Sequence, residues 1–317
     1  MAEELSVPTS SPTGVVAQVA SGDPLVAPTA TKPNPVQIDV KTKDDAKSVV
    51  KTLRITTFNI LADCWIHYQK IADASIRAWE ARVPKIAKVL LASASDILCL
   101  QEVDQKTYDA LVLKLAPKYV AGPFSANETK KEIPAVGTCI FARSELLGLT
   151  FETKTIVKRG CTGVSFADGI VIWNVHWSWE LESQKKQNQA DAMAAVANAM
   201  PKLGLWVGDF NMVKAEMKAM VKTSVPKFEA SLDAASDRIT CWNPNEPNGG
   251  RHLDYVLHGA DIKVVREEFD TSFPTSGTTT VAESHAQCVR LVDLVGSDHF
   301  PLTVTLEYLP AVSTKPT

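Results

Sequence analysis

The chain has 317 residues, a length that suits one large α/β domain or two ordinary ones. Lysine and arginine total 33 and aspartate and glutamate total 36, so the formal net charge is −3. This balance excludes a histone-like protein that binds nucleic acid by charge alone, and the 45 % hydrophobic content excludes a wholly disordered, collagen-like or coiled-coil chain.

Residues 1–50 are rich in Pro, Ser and Thr and contain no aromatic residue, so we expect a disordered tail there. Residues 51–310 are predicted to form one folded domain, and 311–317 a short C-terminal tail. Glu3 and Glu4 stand where a secretory signal is basic, and no run approaches the ~18–20 apolar residues that span a bilayer. We therefore expect an intracellular protein, cytoplasmic or nuclear, without a signal peptide or a transmembrane segment.

The six cysteines include no C-x-x-C pair, and Cys99 and Cys139 lie inside apolar runs. This usage is typical of reduced core thiols rather than of a disulfide framework or a zinc finger.

Apolar runs and amphipathic stretches alternate from Leu53 onward. The helices are predicted at 83–93, with Pro84 in the first turn, at 106–116 and at 183–200. The strands are predicted at 53–60, 96–103, 136–143, 169–177, 203–210, 252–259 and 300–308. Such alternation predicts an α/β sandwich.

Polar residues follow several of these strands at their carboxyl ends, which share one rim in an α/β sheet. They are Asn59, Glu102, His176, Asp209 and Asn211. Taken singly, each has an ordinary explanation as a turn former, a solvated carboxylate, a helix cap or a core histidine. Asp254 is harder to explain, because a carboxylate inside an apolar strand needs a partner. Asp298 and His299 precede the last strand.

The ordered set of TFN, QE, N-x-H, GDFN, DYV and SDH resembles the endonuclease/exonuclease/phosphatase superfamily of metal-dependent phosphoesterases over roughly residues 53–309. A finer likeness rests on FNILADCW, Trp79, Arg82, DILCLQEVD, NVHW and Gln189. These resemble the carbon-catabolite-repressor-4, nocturnin and angel branch of 3′→5′ exoribonucleases and deadenylases. The segment 212–253 is short for that branch, and no leucine-rich repeats precede the domain.

The resemblance implies a four-layered α/β sandwich, with two packed mixed β-sheets flanked by helices, as the catalytic domain. It also implies that Glu102 is the central metal ligand, with Asn59 and Asp298 beside it. Their oxygen atoms are the ligands that Mg²⁺ prefers, with Mn²⁺ as a substitute.

In the roles that the resemblance implies, Asp209 is the general base and the Asn211 amide donates to phosphoryl oxygens. His299 faces the phosphate, with its orientation fixed by Asp254, and His176 is a second phosphate contact or a proton donor to the leaving group.

Four residues are candidates for substrate binding. Trp177 and Trp179 follow His176, and one of them is expected to stack on a base, whereas both pack in the core on the alternative interpretation. Asn174 supports the same strand end, and Arg251 lies in a Gly/Pro/Asn loop whose turn composition is an alternative explanation for it.

The sequence thus predicts a Mg²⁺-dependent phosphodiesterase acting on nucleic acid, in the leading hypothesis a 3′→5′ exoribonuclease on single-stranded RNA. A DNA-repair phosphodiesterase (abasic-site endonuclease or tyrosyl-DNA phosphodiesterase) and a lipid or small-molecule phosphoesterase are the alternatives. We expect a monomer that does not bind membranes.

Overall fold

Two mixed β-sheets packed face to face form the centre of the fold. The structure is a computed structural model that describes residues 49–128, 134–156, 158–177, 191, 194, 203–230, 239–268 and 280–310. The predicted tails at 1–50 and 311–317 lie almost wholly outside these residues and stay predictions. The predicted helix at 183–200 also lies outside them, apart from Asp191 and Ala194, which are helical.

The first sheet has the strand order β14-β15-β1-β2-β5-β3, and β4 pairs with β5. Its strands, numbered in chain order, are β1 (Lys51–Asn59), β2 (Ile97–Asp104), β3 (Tyr119–Ala121), β4 (Ser125–Ala126), β5 (Val136–Arg143), β14 (Ile262–Glu268) and β15 (Leu302–Tyr308). β1 and β2 are parallel, and β1 pairs antiparallel with β15.

The second sheet has the order β10-β13-β9-β8-β7-β6. Its strands are β6 (Leu149–Ile156), β7 (Arg159–Phe166), β8 (Val171–His176), β9 (Gly204–Asp209), β10 (Phe228–Ala230) and β13 (Asp254–Gly259). β8 and β9 are parallel, and β13 is antiparallel to β9. A short hairpin of β11 (Cys241–Trp242) and β12 (Gly250–Arg251) precedes β13.

Helices cover the outer faces of both sheets. Those in the described residues are α1 (Ala74–Arg77), α2 (Trp79–Ser93), α3 (Gln105–Leu115), α4 (Lys214–Ser224) and α5 (Val281–Val295), with a 3₁₀ turn at Ile66–Gln69. No helix in the described ranges is long and apolar enough to cross a membrane.

Side-chain alternation divides the core into layers, because successive residues of a strand point to opposite faces. Cys99 on β2 and Val207 on β9 belong to the apolar layer between the sheets. Leu98 packs in the layer beneath α2 and α5, and Trp206 packs in the layer that contains Met217 of α4. The predicted four-layered α/β sandwich is therefore confirmed.

Two predictions about elements need correction. α2 begins at Trp79, four residues before the predicted start, so Pro84 lies inside the helix rather than in its first turn. The early turn is held by tertiary bonds, since Trp79 Nε1 donates to Thr107 Oγ1 (2.9 Å) and Arg82 Nε donates to the Gly296 carbonyl (2.8 Å). The hairpin of β6 and β7 and the helices α4 and α5 were not predicted.

Candidate active site

Three adjacent strands of the second sheet bring three predicted site residues into one row. The strand register pairs His176 on β8 with Asp209 on β9, and pairs Asp209 with Asp254 on β13. All three residues are buried. The row lies at the end of β8 and β9 and at the start of antiparallel β13, which is the same rim of the sheet.

The first sheet contributes Asn59 at the end of β1 and Glu102 near the end of β2. Glu102 has a left-handed backbone, with φ 53°, and lies where the β2–β5 register shifts between Leu100 and Val103. Such bulges redirect a side chain, and positive φ is uncommon for a non-glycine residue. The strained backbone is the local feature that aims the Glu102 carboxylate at Asn59.

Asn59 joins the two sheets at the site. Its Nδ2 donates to Glu102 Oε1 and to Asp209 Oδ2, both at 3.0 Å, and its Oδ1 accepts from the Leu61 amide. Glu102 Oε2 accepts from the Ala62 amide at 3.1 Å. One side chain thus holds the carboxylates of both sheets at a fixed separation.

Asp209 lies at the centre of the cluster. Its Oδ1 accepts from the Asn211 backbone N–H at 2.8 Å. Its Oδ2 lies 3.7 Å from His299 Nε2 and 3.8 Å from His176 Nε2. Burial raises the pKa of Asp209 to about 7 and the Asp254 charge adds to this, while His299 opposes it. A carboxylate whose pKa lies near neutrality is suited to accept a proton at physiological pH.

The raised pKa of Asp209 predicts how the free energy of unfolding depends on pH. Asp209 ionises near pH 3.8 in the unfolded chain and near 7 in the folded one, so the folded state holds the extra proton between these values. The contribution of Asp209 to the free energy of unfolding must therefore fall as pH rises through that window. In EDTA, the free energy of unfolding of the wild type minus that of Asp209→Asn should decrease between about pH 4 and 7, measured by urea unfolding at a series of pH values. Equal slopes would contradict the assignment.

The hydrogen bond expected between Asp254 and His299 is present, with 2.9 Å between His299 Nδ1 and Asp254 Oδ2. Burial opposes a charge on the ring, but the charge and hydrogen bond of the Asp254 carboxylate hold the pKa of His299 well above its usual value. His299 is therefore the cation among these carboxylates, and its Nε2 is directed toward Asp209.

His176 differs from His299 in charge. Burial lowers the pKa of His176 to about 4, although the Glu102 carboxylate 3.8 Å from its Nε2 favours the charged form. A neutral ring can form hydrogen bonds but is a weak acid near pH 7. Asn211 Nδ2 lies 3.3 Å from His176 Nε2 and donates to the Trp177 carbonyl at 2.8 Å. This geometry favours a phosphate contact over proton donation for His176.

Asp298 is positioned by a residue that the sequence analysis did not identify. Gln69 Nε2, in the 3₁₀ turn, donates to Asp298 Oδ2 at 2.7 Å, and Ser297 Oγ donates to the Asn59 carbonyl at 2.7 Å. Burial raises the pKa of Asp298 to about 6, and the nearby Glu102 charge adds to the shift. Gln69 had no periodic signal, because it lies in a short irregular turn between β1 and α1.

Arg82 supports the loop that follows Asn59 from behind. This buried side chain donates to the carbonyls of Ile60, Leu61 and Gly296, and its guanidinium is attracted by Asp298 and Asp63. It thereby ties the loop after β1 to the Gly296 carbonyl at the end of α5.

The donor set fits a hard divalent cation. Glu102, Asn59 and Asp298 offer oxygen atoms, and Asp254 Oδ1 is buried with no hydrogen-bond partner among the described residues. Carboxylates outnumber cationic side chains in this cluster, so a bound Mg²⁺ or Mn²⁺ would relieve the repulsion among them.

Not all of the residues predicted to bind substrate lie where they could contact it. Asn174 is fully buried, donates to the Leu100 and Cys139 carbonyls (both 2.8 Å) and accepts from Gln101 (2.6 Å), so it links the sheets.

Trp177 is 4 % exposed and packs on Phe210 with 5.5 Å between ring centroids, so its face is not available to a base. Arg251 pairs with Glu246 at the surface. Trp179 lies outside the described residues.

Gly208 permits the close approach of β8 and β9 beneath this row. Its φ is 150°, and a Cβ there would lie 2.0 Å from the Val175 carbonyl oxygen. A side chain at this position would push apart the strands that carry His176 and Asp209.

We therefore expect Gly208→Ala to cost about 3 kcal/mol of stability, a loss of several degrees in Tm. Gly148→Ala is the control, because it has φ 70° but meets only the Ala167 side chain at 3.2 Å, so it should lose about 1 kcal/mol. Thermal unfolding checks both variants, and equal losses would show that the Val175 contact is not limiting.

Comparisons with known proteins agree with this fold. Solved structures with the same fold include ANGEL2, a 2′,3′-cyclic phosphatase (15 % identity, TM-score 0.63, 81 % of this chain and 95 % of that chain covered). The human Nocturnin catalytic domain with bound sulfate matches at 18 % identity and TM-score 0.55, with 81 % and 93 % covered.

D. rerio TDP2 with a single-strand DNA product matches at 15 % identity and TM-score 0.57, with 80 % and 98 % covered. No curated protein matches the chain in sequence. The Endonuclease/Exonuclease/phosphatase family matches residues 56–299. The chain therefore belongs to this family, whose members are metal-dependent hydrolases acting on phosphoester bonds.

Proposed function

We propose that the chain is a Mg²⁺-dependent phosphodiesterase that hydrolyses nucleic acid, acting as a 3′→5′ exoribonuclease on single-stranded RNA. The observation that carries the proposal is the Asp209 carboxylate, which accepts from Asn59 and lies within 3.8 Å of both His299 and His176. A base flanked by one cationic and one neutral imidazole matches the needs of phosphoryl transfer, in which a proton is removed while negative charge develops on oxygen.

Each group has a proposed task. Asp209 takes the proton of the attacking water, and the Asn59 side chain and the Asn211 backbone N–H keep its oxygens oriented. His299, charged and held by Asp254, donates to the phosphoryl oxygens as their charge grows. His176, being neutral, contributes a hydrogen bond rather than a proton.

Glu102 would hold the cation, with Asn59 and Asp298 beside it. When bound, Mg²⁺ supplies charge neutralisation at the phosphate. Glu102 suits this task because its side chain is 17 % exposed and so reaches the open side of the site. The side chain of Asp209 is only 2 % exposed.

The exposed ring of Tyr68 supports the proposal that the substrate carries bases. It is the one exposed Phe, Trp or Tyr side chain among the described residues, at 57 %, and its ring packs on His67 with 4.0 Å between ring centroids and the planes tilted by 37°. The next residue, Gln69, binds Asp298, so the exposed ring lies next to the site in the chain. With Trp177 buried, Tyr68 is the better candidate for stacking, which is worth ~1–3 kcal/mol per base.

A second candidate function is hydrolysis of 2′,3′-cyclic phosphate ends of RNA. It is favoured by the similarity to ANGEL2, a structure also solved with adenosine-2′,3′-vanadate. DNA-repair activity remains the alternative that the TDP2 likeness supports.

A substrate panel tests these proposals in Mg²⁺. It contains single-stranded RNA with a free 3′ hydroxyl, the same RNA blocked at its 3′ end, RNA ending in a 2′,3′-cyclic phosphate, abasic duplex DNA, a 5′-tyrosyl oligonucleotide and a phosphoinositide. Stepwise shortening of the first substrate, with survival of the second, is the expected result. Opening of the cyclic phosphate alone would favour the second candidate, and cleavage confined to either DNA substrate or to the phosphoinositide would overturn both.

A further inference from the structure

Cys241 lies in the candidate site, although neither the proposed reaction nor the oxygen-ligand metal site uses it. Its strand runs antiparallel to residues 298–300: Trp242 N donates to the Asp298 carbonyl (3.0 Å) and Phe300 N donates to the Thr240 carbonyl (2.7 Å). Cys241 itself pairs with His299 in an isolated antiparallel β-bridge of the backbone. This register places the thiol beside the His299 ring, with which its side chain interacts.

Three different ligand types converge here. One ligating atom each of Cys241, Asp298 and His299 lie within 4.8 Å of one another, and all three residues are buried. A thiolate, an imidazole and a carboxylate form a set that suits Zn²⁺, whereas Mg²⁺ prefers oxygen ligands alone.

The surroundings of the cluster are those of an oriented metal site. Asp254 accepts from His299 Nδ1 at 2.9 Å, which leaves Nε2 as the nitrogen available for coordination. Metal-bound histidines commonly have a carboxylate on the second ring nitrogen. Asp298 is oriented in the same way by Gln69. Three protein ligands are the number found in open zinc sites, where water or a substrate oxygen is the fourth ligand of the tetrahedral ion.

We propose that Cys241, Asp298 and His299 form a second cation site that is selective for Zn²⁺ and inhibits the enzyme when filled. Binding releases two protons to solvent, one from the Cys241 thiol and one from Nε2 of the cationic His299 ring. The metal then occupies the nitrogen that His299 turns toward the phosphate. Inhibition rests on the proposed function, whereas binding does not.

The test uses the full chain, freed of metal with EDTA and returned to Mg²⁺. Co²⁺ is added as a spectroscopic probe for Zn²⁺, because a cobalt–thiolate bond gives a near-ultraviolet charge-transfer band. The wild type and Cys64→Ser, which removes the one half-buried thiol, should show the band, and Cys241→Ser should not. Asp254→Asn should weaken Co²⁺ binding by about 10- to 100-fold, the usual effect of losing such a support.

Activity gives the second measurement. Zn²⁺ should inhibit hydrolysis of the RNA substrate by the wild type, and Cys241→Ser should keep its Mg²⁺ activity while requiring at least about ten-fold more Zn²⁺ for the same inhibition. A cobalt band that persists in Cys241→Ser, or equal Zn²⁺ sensitivity of the two proteins, would overturn the proposal. If no substrate is cleaved, the proposed function fails, yet the cobalt spectrum still decides whether the site exists.

Discussion

Replacing Glu102 with glutamine should lower the rate of phosphodiester hydrolysis by about 1,000-fold, equivalent to about 4 kcal/mol of transition-state stabilisation. The two carboxylate oxygens accept from Asn59 and from the Ala62 amide, and glutamine has one acceptor oxygen in place of two. The folded chain should lose only about 1–2 kcal/mol of stability from the unmatched donor. Loss of the negative charge, rather than of the fold, is therefore the cause of the defect.

The measurements are kcat/KM and the rise in Tm on addition of Mg²⁺. Glu102→Gln should lower kcat/KM by about 1,000-fold and abolish the rise in Tm. Glu145→Gln is the matched control, because Glu145 is an exposed glutamate that pairs with Arg143 away from the cluster. Full activity of Glu102→Gln, or wild-type turnover that persists in EDTA, would sink the assignment of Glu102 as the cation ligand.

The Asp254→Asn, His299→Ala double variant should be hardly less active than either single variant. Each single replacement should lower kcat by about 100-fold, a typical contribution of one positioned acid–base group, with KM little changed. Independent effects would multiply to about 10,000-fold, but the 2.9 Å bond between the two groups makes them act as one unit.

The pH profile separates this unit from a merely structural pair. Asp254 contributes to the raised pKa of His299, so removing its charge lowers that pKa and shortens the range in which the ring is cationic. The loss in Asp254→Asn should therefore grow as pH rises, and the alkaline limb of the profile should move to lower pH. Multiplicative losses with an unchanged profile would show that Asp254 serves structure alone.

The polar residues at strand ends predicted most of the site because each is recognised locally, from the apolar run that precedes it. Asn59, His176 and Asp209 each follow such a run, and the register of the strands then brings the ends of the runs together. Gln69 could not be predicted in this way, since its contact with Asp298 spans 229 positions and its turn has no period. The burial of Trp177 depends on Phe210, a contact that only the folded sheet creates.

The fold was predicted where apolar alternation was strong. β6 has no buried residue and has exposed Thr and Lys side chains, so it lacks the apolar signal of the central strands. α5 has a local start signal in the sequence, because Thr280 and Glu283 form a capping box directly before its apolar face. The start of α2 was predicted too late because a proline usually marks the first turn of a helix. Here the hydrogen bonds of Trp79 and Arg82 hold an additional turn on the N-terminal side of Pro84.

The position of β15 has a consequence for how the enzyme is made. This last strand lies between β14 and β1, so the first strand of the sheet has no partner on that side until the final part of the domain is synthesised. Asp298 and His299 emerge from the ribosome just ahead of β15. Because domains fold as units once their sequence is available, nascent chains that stop before residue 309 should be both unfolded and inactive. Completion of the active site and completion of the fold then become one event during translation, so prematurely terminated chains would have no phosphoester-hydrolase activity.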